Sequence, residues 1–291
     1  MIGSIKSYNS LEQDEKNLFC DFINRNNSDK KSKEDIEKLF NLSIYDYGRG
    51  VLLYIIDNKV VAKLCIVLEV AKDLNSSYIH QFEILEGICN INIILSEIVQ
   101  RAIDVSREYG ANDIRLGVSD KHILDKLGLY AQYNSYKMNL ENRNTIANIL
   151  DLETLSEGNK YEYIKIYNDS FSDMPHGTIT NINKVEENIT NINDLNYYFF
   201  VLDGNKRIGF MEVTINEEEG IFDIGLCKGY RNKGYGKLIL DKAIEFLNQK
   251  NVKKVSLIVI EENKIAYNMY LKRGFEVKKT LGHWIKLTDG E

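Results

Sequence analysis

The chain has 291 residues, 44% of them hydrophobic and 27% charged, with a net charge of −6, a length that suggests two domains of about 150 residues, each able to bury a core without staples. Cut near its middle, the chain has similarly acidic halves, which argues against a nucleic-acid role. The scattered Cys20, Cys65, Cys89, Cys227 and the dispersed histidines have no metal or redox spacing, the polar start lacks an apolar signal core, and no apolar run spans a bilayer, so no metal, no membrane and a cytoplasmic location are expected.

From Gly50 the chain reads as strand 51–56, turn Asp57-Asn58-Lys59 and an apolar β-branched run over 60–70, a hairpin signal. A third strand is expected over 77–85. Residues 93–109 have helical spacing, with Ile94, Ile98, Ala102 and Val105 on one face and Gly110 as the closing cap. Residues 114–118 are again strand-like. The second half repeats the order: strand 197–202, turn Asp203-Gly204-Asn205, strand 207–215, turn 217–220 and strand 221–226. A helix over 237–247 shows the stripe Leu238, Leu240, Ala243, Ile244 and Leu247. Strand 255–260, helix 264–271 and closing strands 276–280 and 283–287 follow. Strands 114–118 and 255–259 align at an offset of 141 residues, which superposes the preceding helices without a gap and at equal length. The pattern implies tandem duplication of one αβ unit, with an Asn-rich junction at 141–149 and domains at 1–145 and 146–291.

The informative segment runs from Gly225 through Leu226, Cys227, Lys228, Gly229, Tyr230, Arg231, Asn232, Lys233, Gly234, Tyr235 and Gly236 to Lys237. It leaves a strand and enters a helix. Glycines one residue apart at such a junction let the backbone turn and expose its amides. A helix N-terminus with bare N–H groups attracts anions, and Arg231, Lys233 and Lys237 add charge there. The segment reads as a phosphate or pyrophosphate cradle. A P-loop requires lysine where Tyr235 stands, and a dinucleotide fingerprint requires glycine where Ile239 stands.

Arg231-Asn232-Lys233-Gly234-Tyr235-Gly236 resembles the R/Q-x-x-G-x-G/A motif of the GNAT superfamily of N-acetyltransferases. Asn263, Ala266, Tyr270 and Gly274-Phe275 follow in that family's N-x-x-A-x-x-x-Y-x-x-x-G-F order. The resemblance has motif support over about 150–291 and extends to the first half as architecture only. It implies an α/β (α+β) fold of two tandem units, each a mixed, mostly antiparallel central sheet flanked by helices. It also implies acetyl-CoA as acyl donor and a small-molecule amine as acceptor. Gly234, Gly236 and nearby amides would hold the pyrophosphate. The strand Ile224–Lys228, with Leu226, Cys227 and Lys228, would pair with the pantetheine arm, an amide near Leu226 would polarise the thioester carbonyl, and Asn263 would add a second contact. Tyr270 stands at the general-acid position, because a phenol keeps its proton at pH 7 and can give it to a departing thiolate.

Asp223 and Glu212 are candidate general bases beside a water relay, and Glu261 and Glu262 lie near a strand end. Cys227 reads as a packing residue, since direct transfer needs no acyl-enzyme. His176 falls where the family's acceptor loop would be. At the 141-residue offset Arg231 maps to Asn90, Gly234 to Ile93 and Gly236 to Leu95. The first unit is therefore expected to keep the fold without the coenzyme site. A non-catalytic coenzyme-A-binding regulator and an aminoacyl-type transferase are the competing readings. Monomer and homodimer both remain open.

Overall fold

The computed structural model describes residues 3–25, 29–141, 143–144 and 149–287. Two compact units divide the chain. Unit 1 is Met1–Asn134 with Gly282–Glu291, and unit 2 is Ser135–Leu281. In chain order the first strands and helices are β1 (Ser4–Ser7), α1 (Gln13–Asn24), α2 (Lys33–Phe40), β2 (Val51–Ile56), β3 (Lys59–Val67), α3 (Ala71–Leu74), β4 (Ser76–Ile84), α4 (Ile91–Glu108), β5 (Asp113–Val118), α5 (Lys121–Leu127) and β6 (Tyr133–Leu140). There follow β7 (Asp151–Thr154), α6 (Lys160–Phe171), α7 (Ile182–Thr190), β8 (Asn196–Asp203), β9 (Lys206–Asn216), β10 (Glu219–Leu226), α8 (Tyr235–Gln249), β11 (Lys254–Ile260), α9 (Lys264–Arg273) and β12 (Phe275–Lys286).

Each unit has a mixed, mostly antiparallel sheet. In unit 1 the strand order is β1-β2-β3-β4-β5-β12, with β4 and β5 parallel and the other neighbours antiparallel. In unit 2 the order is β7-β8-β9-β10-β11-β6, with β10 and β11 parallel and the rest antiparallel. The hairpins form where turn chemistry demands. Asp57 and Asn58 both take positive φ, 47° and 55°, the geometry a two-residue turn needs. Glu12 with Glu15, and Ser32 with Asp35, form capping boxes that start α1 and α2. Helix α4 buries Ile94, Leu95, Ile98, Ala102 and Val105 against one face of its sheet. Helix α8 does the same with Ile239, Leu240, Ala243, Ile244 and Leu247.

Several expectations change. The two long helices end at the expected offset, but α4 has 18 residues and α8 has 15. Helix α4 therefore starts one turn early, and Asn90, not Ile93, is the cap that corresponds to Gly234. Strand β10 begins at Glu219, inside the expected turn, because Glu219 and Gly220 already pair with Asn216 and Ile215. The two closing strands are one, β12, whose residues from Gly282 onward belong to unit 1. Beta strand β6 contributes residues 135–140 to unit 2. The units thus differ in composition from a single cut at 145. Of the junction, residues 142 and 145–148 lie outside the described residues.

Candidate functional site

Strand β10 lies on β9 along its whole length, from Glu219↔Asn216 to Leu226↔Gly209. Its parallel pairing with β11 stops at Ile221↔Ser256. Strand β11 nevertheless continues on β6 to Ile260↔Ser135. The two middle strands therefore diverge into a wedge, with residues 222–226 on one wall and 257–260 on the other. The Cys227 amide donates to Ile208 O at 2.9 Å. By the alternation of an antiparallel ladder, Ile224 and Leu226 turn their backbone groups toward the wedge. Glycines hold the β9 side of this wall close. A Cβ on Gly209 would sit 2.1 Å from Gly225 O, and one on Gly225 would sit 2.2 Å from the Phe210 ring. Ile258 is half exposed on the opposite wall.

At the mouth of the wedge the chain turns through Asn232 (φ 61°) and Gly234 (φ 88°) into α8. Gly234 caps the helix without a side-chain acceptor or donor. Among the described residues, none of the amides of residues 232–236 donates to another protein group. Those N–H groups and the helix dipole form a nest for an anion. A Cβ at Gly229 or Gly234 would meet nothing within 4 Å, so space stands open above the backbone there. A pyrophosphate fits this arrangement by donor set and by room.

The cations divide by role. Lys237 is exposed on the first turn of α8. Lys233 donates to Gly229 O at 2.7 Å. Arg231 was expected to add charge for the anion, but its guanidinium is committed to the protein. It donates to both oxygens of Asp173, at 2.8 and 3.0 Å, to Ser170 O at 2.9 Å and to Leu226 O at 3.2 Å. Arg231 thus ties the end of α6 to the end of β10. The Lys228 amide donates to Asp169 at 2.8 Å, which reinforces that tie. Tyr235 is also an anchor, donating to Asp203 at 2.5 Å. Asn263 caps α9 by accepting from the Ala266 amide at 3.2 Å, and its amide nitrogen lies 3.9 Å from Met174 Sδ.

The titratable groups gather on the face of the sheet under α6. Glu212 and Asp223 are cross-strand partners on β9 and β10, and Tyr198 on β8 is the other neighbour of Glu212. Enclosure raises the Glu212 carboxyl to about 7, opposed by a hydrogen bond from Tyr163 and helped by the charge of Asp223. Enclosure also raises the Asp223 carboxyl, although its side chain is open to solvent. From the other face Tyr270 on α9 is buried, its ring 5.8 Å from Phe275. Burial and the Asp223 charge hold its phenol above the ordinary value. Cys227 lies 3.8 Å from Ser170 Oγ, and burial pushes its thiol upward, which keeps it protonated.

Asp169 and the buried Tyr163 lie on α6, which the sequence reading passed over, and Asp173 lies just beyond its end. A signal existed: Tyr163, Ile166, Tyr167 and Ser170 recur at i, i+3, i+4 and i+7. Unit 1 gives a contrast. Ser77↔Ile114 corresponds to Gly220↔Val255. His80 then stands where Asp223 does, and its cross-strand partner Cys65 stands where Glu212 does. Burial depresses His80 to about 4 and raises Cys65 to about 12. No lysine or arginine lies between Lys72 and Arg101, so the start of α4 carries no cation. Among the described residues, no helix is long and apolar enough to cross a membrane, and no His, Cys, Asp or Glu cluster could hold a metal.

Residues 160–275 match the acetyltransferase (GNAT) family. An uncharacterized protein of Bacillus subtilis is 32% identical over 95 residues, which cover 33% of this chain and 59% of that protein. The chain thus spans little more than half the length of that relative. Among solved structures, a GCN5-related N-acetyltransferase from Sphaerobacter thermophilus aligns at TM-score 0.59 and 14% identity, over 99% of this chain and 97% of that one. A tandem GNAT protein from the clavulanic acid biosynthesis pathway aligns at TM-score 0.58 and 10% identity, over the full length of both chains. At these identities the structural likeness concerns the fold.

Proposed function

We propose that unit 2 is an acyl-coenzyme-A-dependent N-acyltransferase, a reading supported by the match of residues 160–275 to the acetyltransferase (GNAT) family and by the fold shared with a tandem GNAT protein. Acetyl is the group we assign, and a small-molecule primary amine the acceptor. The observation that carries this reading is the wedge itself. An amide nest marks its mouth, two carboxylates face each other across β9 and β10, and the charge of one of them, Asp223, reaches the buried Tyr270.

Acetyl-coenzyme A, when bound, supplies an activated thioester. The amides of residues 232–236 take its pyrophosphate, with Lys233 and Lys237 adding positive potential. Ile224 and Leu226 offer strand-edge groups to its extended arm, and the Leu226 amide polarises the carbonyl that will be attacked. Arg231 keeps the end of β10 in place for this task. Glu212 accepts a proton from the incoming ammonium, because a base near 7 is half available at neutral pH and strong enough to act. Asp223 beside it favours a cationic acceptor. Tyr270 keeps its proton through the neutral range and gives it to the departing sulfur. Unit 1 supplies fold without this chemistry, since neutral His80 and Cys65 replace the carboxylates. We place the activity in the cytoplasm.

The test is thiol release from acetyl-CoA across a panel of amines, with Gly236→Trp as the control. Gly236 supplies one of the nest amides, and a Cβ there would already lie 3.3 Å from Met269 Sδ. The wild type should release thiol with at least one amine. The variant should keep its circular dichroism and lose acetyl-CoA affinity by about tenfold or more, the scale of an obstructed polar site. Unchanged affinity would remove the site. Saturable binding with no thiol release on any amine would make the protein a coenzyme-A-binding regulator instead.

A further inference from the structure

We propose that Tyr163 is a positioning residue that holds Glu212 in the orientation from which it accepts the acceptor's proton. The proposal rests on the acyl-transfer reading and adds to it a residue outside both sequence motifs.

Tyr163 sits at the end of the first turn of α6 and is completely buried. Its ring packs edge-on against Phe200 and Phe210, at centroid distances of 5.2 and 6.1 Å, so the phenol has little freedom. Its hydroxyl donates to Glu212 Oε1 at 2.8 Å. A glutamate has three rotatable side-chain torsions, and in an enclosed site an unheld carboxylate spreads over several orientations. One oxygen fixed by a rigid donor leaves Oε2 to meet an amine from one direction. The phenol suits that role because burial and the charge of Glu212 hold its own proton firmly. It donates to the carboxylate without competing for the proton that Glu212 must take.

Four elements bring polar groups to Glu212. Strand β10 supplies Asp223, which opposes ionisation, and α7 supplies Lys184, which favours it. Strand β8 supplies Tyr198, whose own proton is held by burial and by the Glu212 charge. Helix α6 supplies Tyr163, whose hydrogen bond stabilises the ionised form. Removing that hydrogen bond must therefore raise the proton affinity of Glu212. A hydrogen bond to a charged group is typically worth a shift of about one pH unit.

Tyr163→Phe removes one oxygen from an aromatic cluster and leaves the packing ring. Two measurements are needed, one of them independent of turnover. Infrared titration of the substrate-free protein, with Glu212→Gln to assign the band, should show the Glu212 midpoint higher by about one pH unit in the variant. The acid limb of kcat/KM for acetyl-CoA-dependent thiol release should move the same way by a similar amount. Activity then falls several-fold near neutrality and recovers in alkali. An unmoved infrared midpoint overturns the positioning role whatever the activity does. A moved midpoint with an unmoved acid limb means that Glu212 is not the base, which ends the proposal and leaves acyl transfer standing. A moved midpoint with no thiol release from the wild type at any pH overturns the acyl-transfer reading beneath it.

Discussion

The base role proposed for Glu212 pulls against stability. In the unfolded chain its carboxyl titrates near 4.5, and in the folded protein near 7. The folded state thus holds the proton more tightly. The protein is favoured by this group below the unfolded value and loses that advantage as pH rises from about 4.5 to 7. Glu212→Gln should be more stable than the wild type at pH 8, by about 1–3 kcal/mol, and equal to it near pH 4. Urea denaturation at the two pH values reads this directly, and equal midpoints at pH 8 would contradict the enclosure. The acids themselves were legible in sequence: a hairpin between strands at 207–215 and 221–226 brings Glu212 and Asp223 onto neighbouring strands. Their proton affinity was not legible, since it comes from α6 and α7 closing over them. Arg231 is the opposite lesson. Its place in the motif was legible, but a sequence cannot reveal that Asp173 and the carbonyls of Leu226, Asp169 and Ser170 already occupy the guanidinium.

At the scale of elements, the wedge depends on how closely β9 and β10 approach at their ends. Gly209 and Gly225 both lack room for a methyl group, for different reasons. At Gly225 the obstacle is the edge of the Phe210 ring, a side chain that can shift within its aromatic cluster. At Gly209 it is the carbonyl of Gly225, which is backbone. Gly209→Ala should therefore destabilise more than Gly225→Ala, with the latter costing about 1–3 kcal/mol. Chemical denaturation of both variants decides this, and the reverse order would mean that β10 yields more easily than its neighbouring rings. Elements with strong local signals were legible, as with the Asp57-Asn58 and Asp203-Gly204 turns and the stripes of α4 and α8. The missed helices α6 and α7 are polar on their outer sides, and their buried residues are aromatic or sparse. The length of α4 was misjudged because Ile91, Ile93 and Ile94 carry no stop signal, and only backbone geometry puts the cap at Asn90.

For the whole molecule, duplication was visible in the order of elements, but the ownership of the sixth strands was not. A repeat in sequence says which strands exist, and pairing depends on contacts remote along the chain. His283 to Lys286 pair with Val118 to Arg115, and Trp284 covers Gly117, where a Cβ would lie 2.6 Å from the indole. A chain ending at Leu281 should therefore loosen unit 1 and spare unit 2. Hydrogen exchange should quicken at residues 114–118 and stay slow at 255–259, where β11 keeps β6 and its own helices. Equal loosening of both strands would contradict this division of the sheets.

The same ownership orders events at the ribosome. Residues 135–281 form one continuous stretch and can close their sheet once it has emerged. Unit 1 is synthesised first, yet it must wait for residues beyond Gly282 before β5 gains its neighbour. Closing so long a loop is slow, and meanwhile β5 presents an unpaired edge to whatever is near. The half of the protein made first is the half completed last, and any chaperone demand should fall on it.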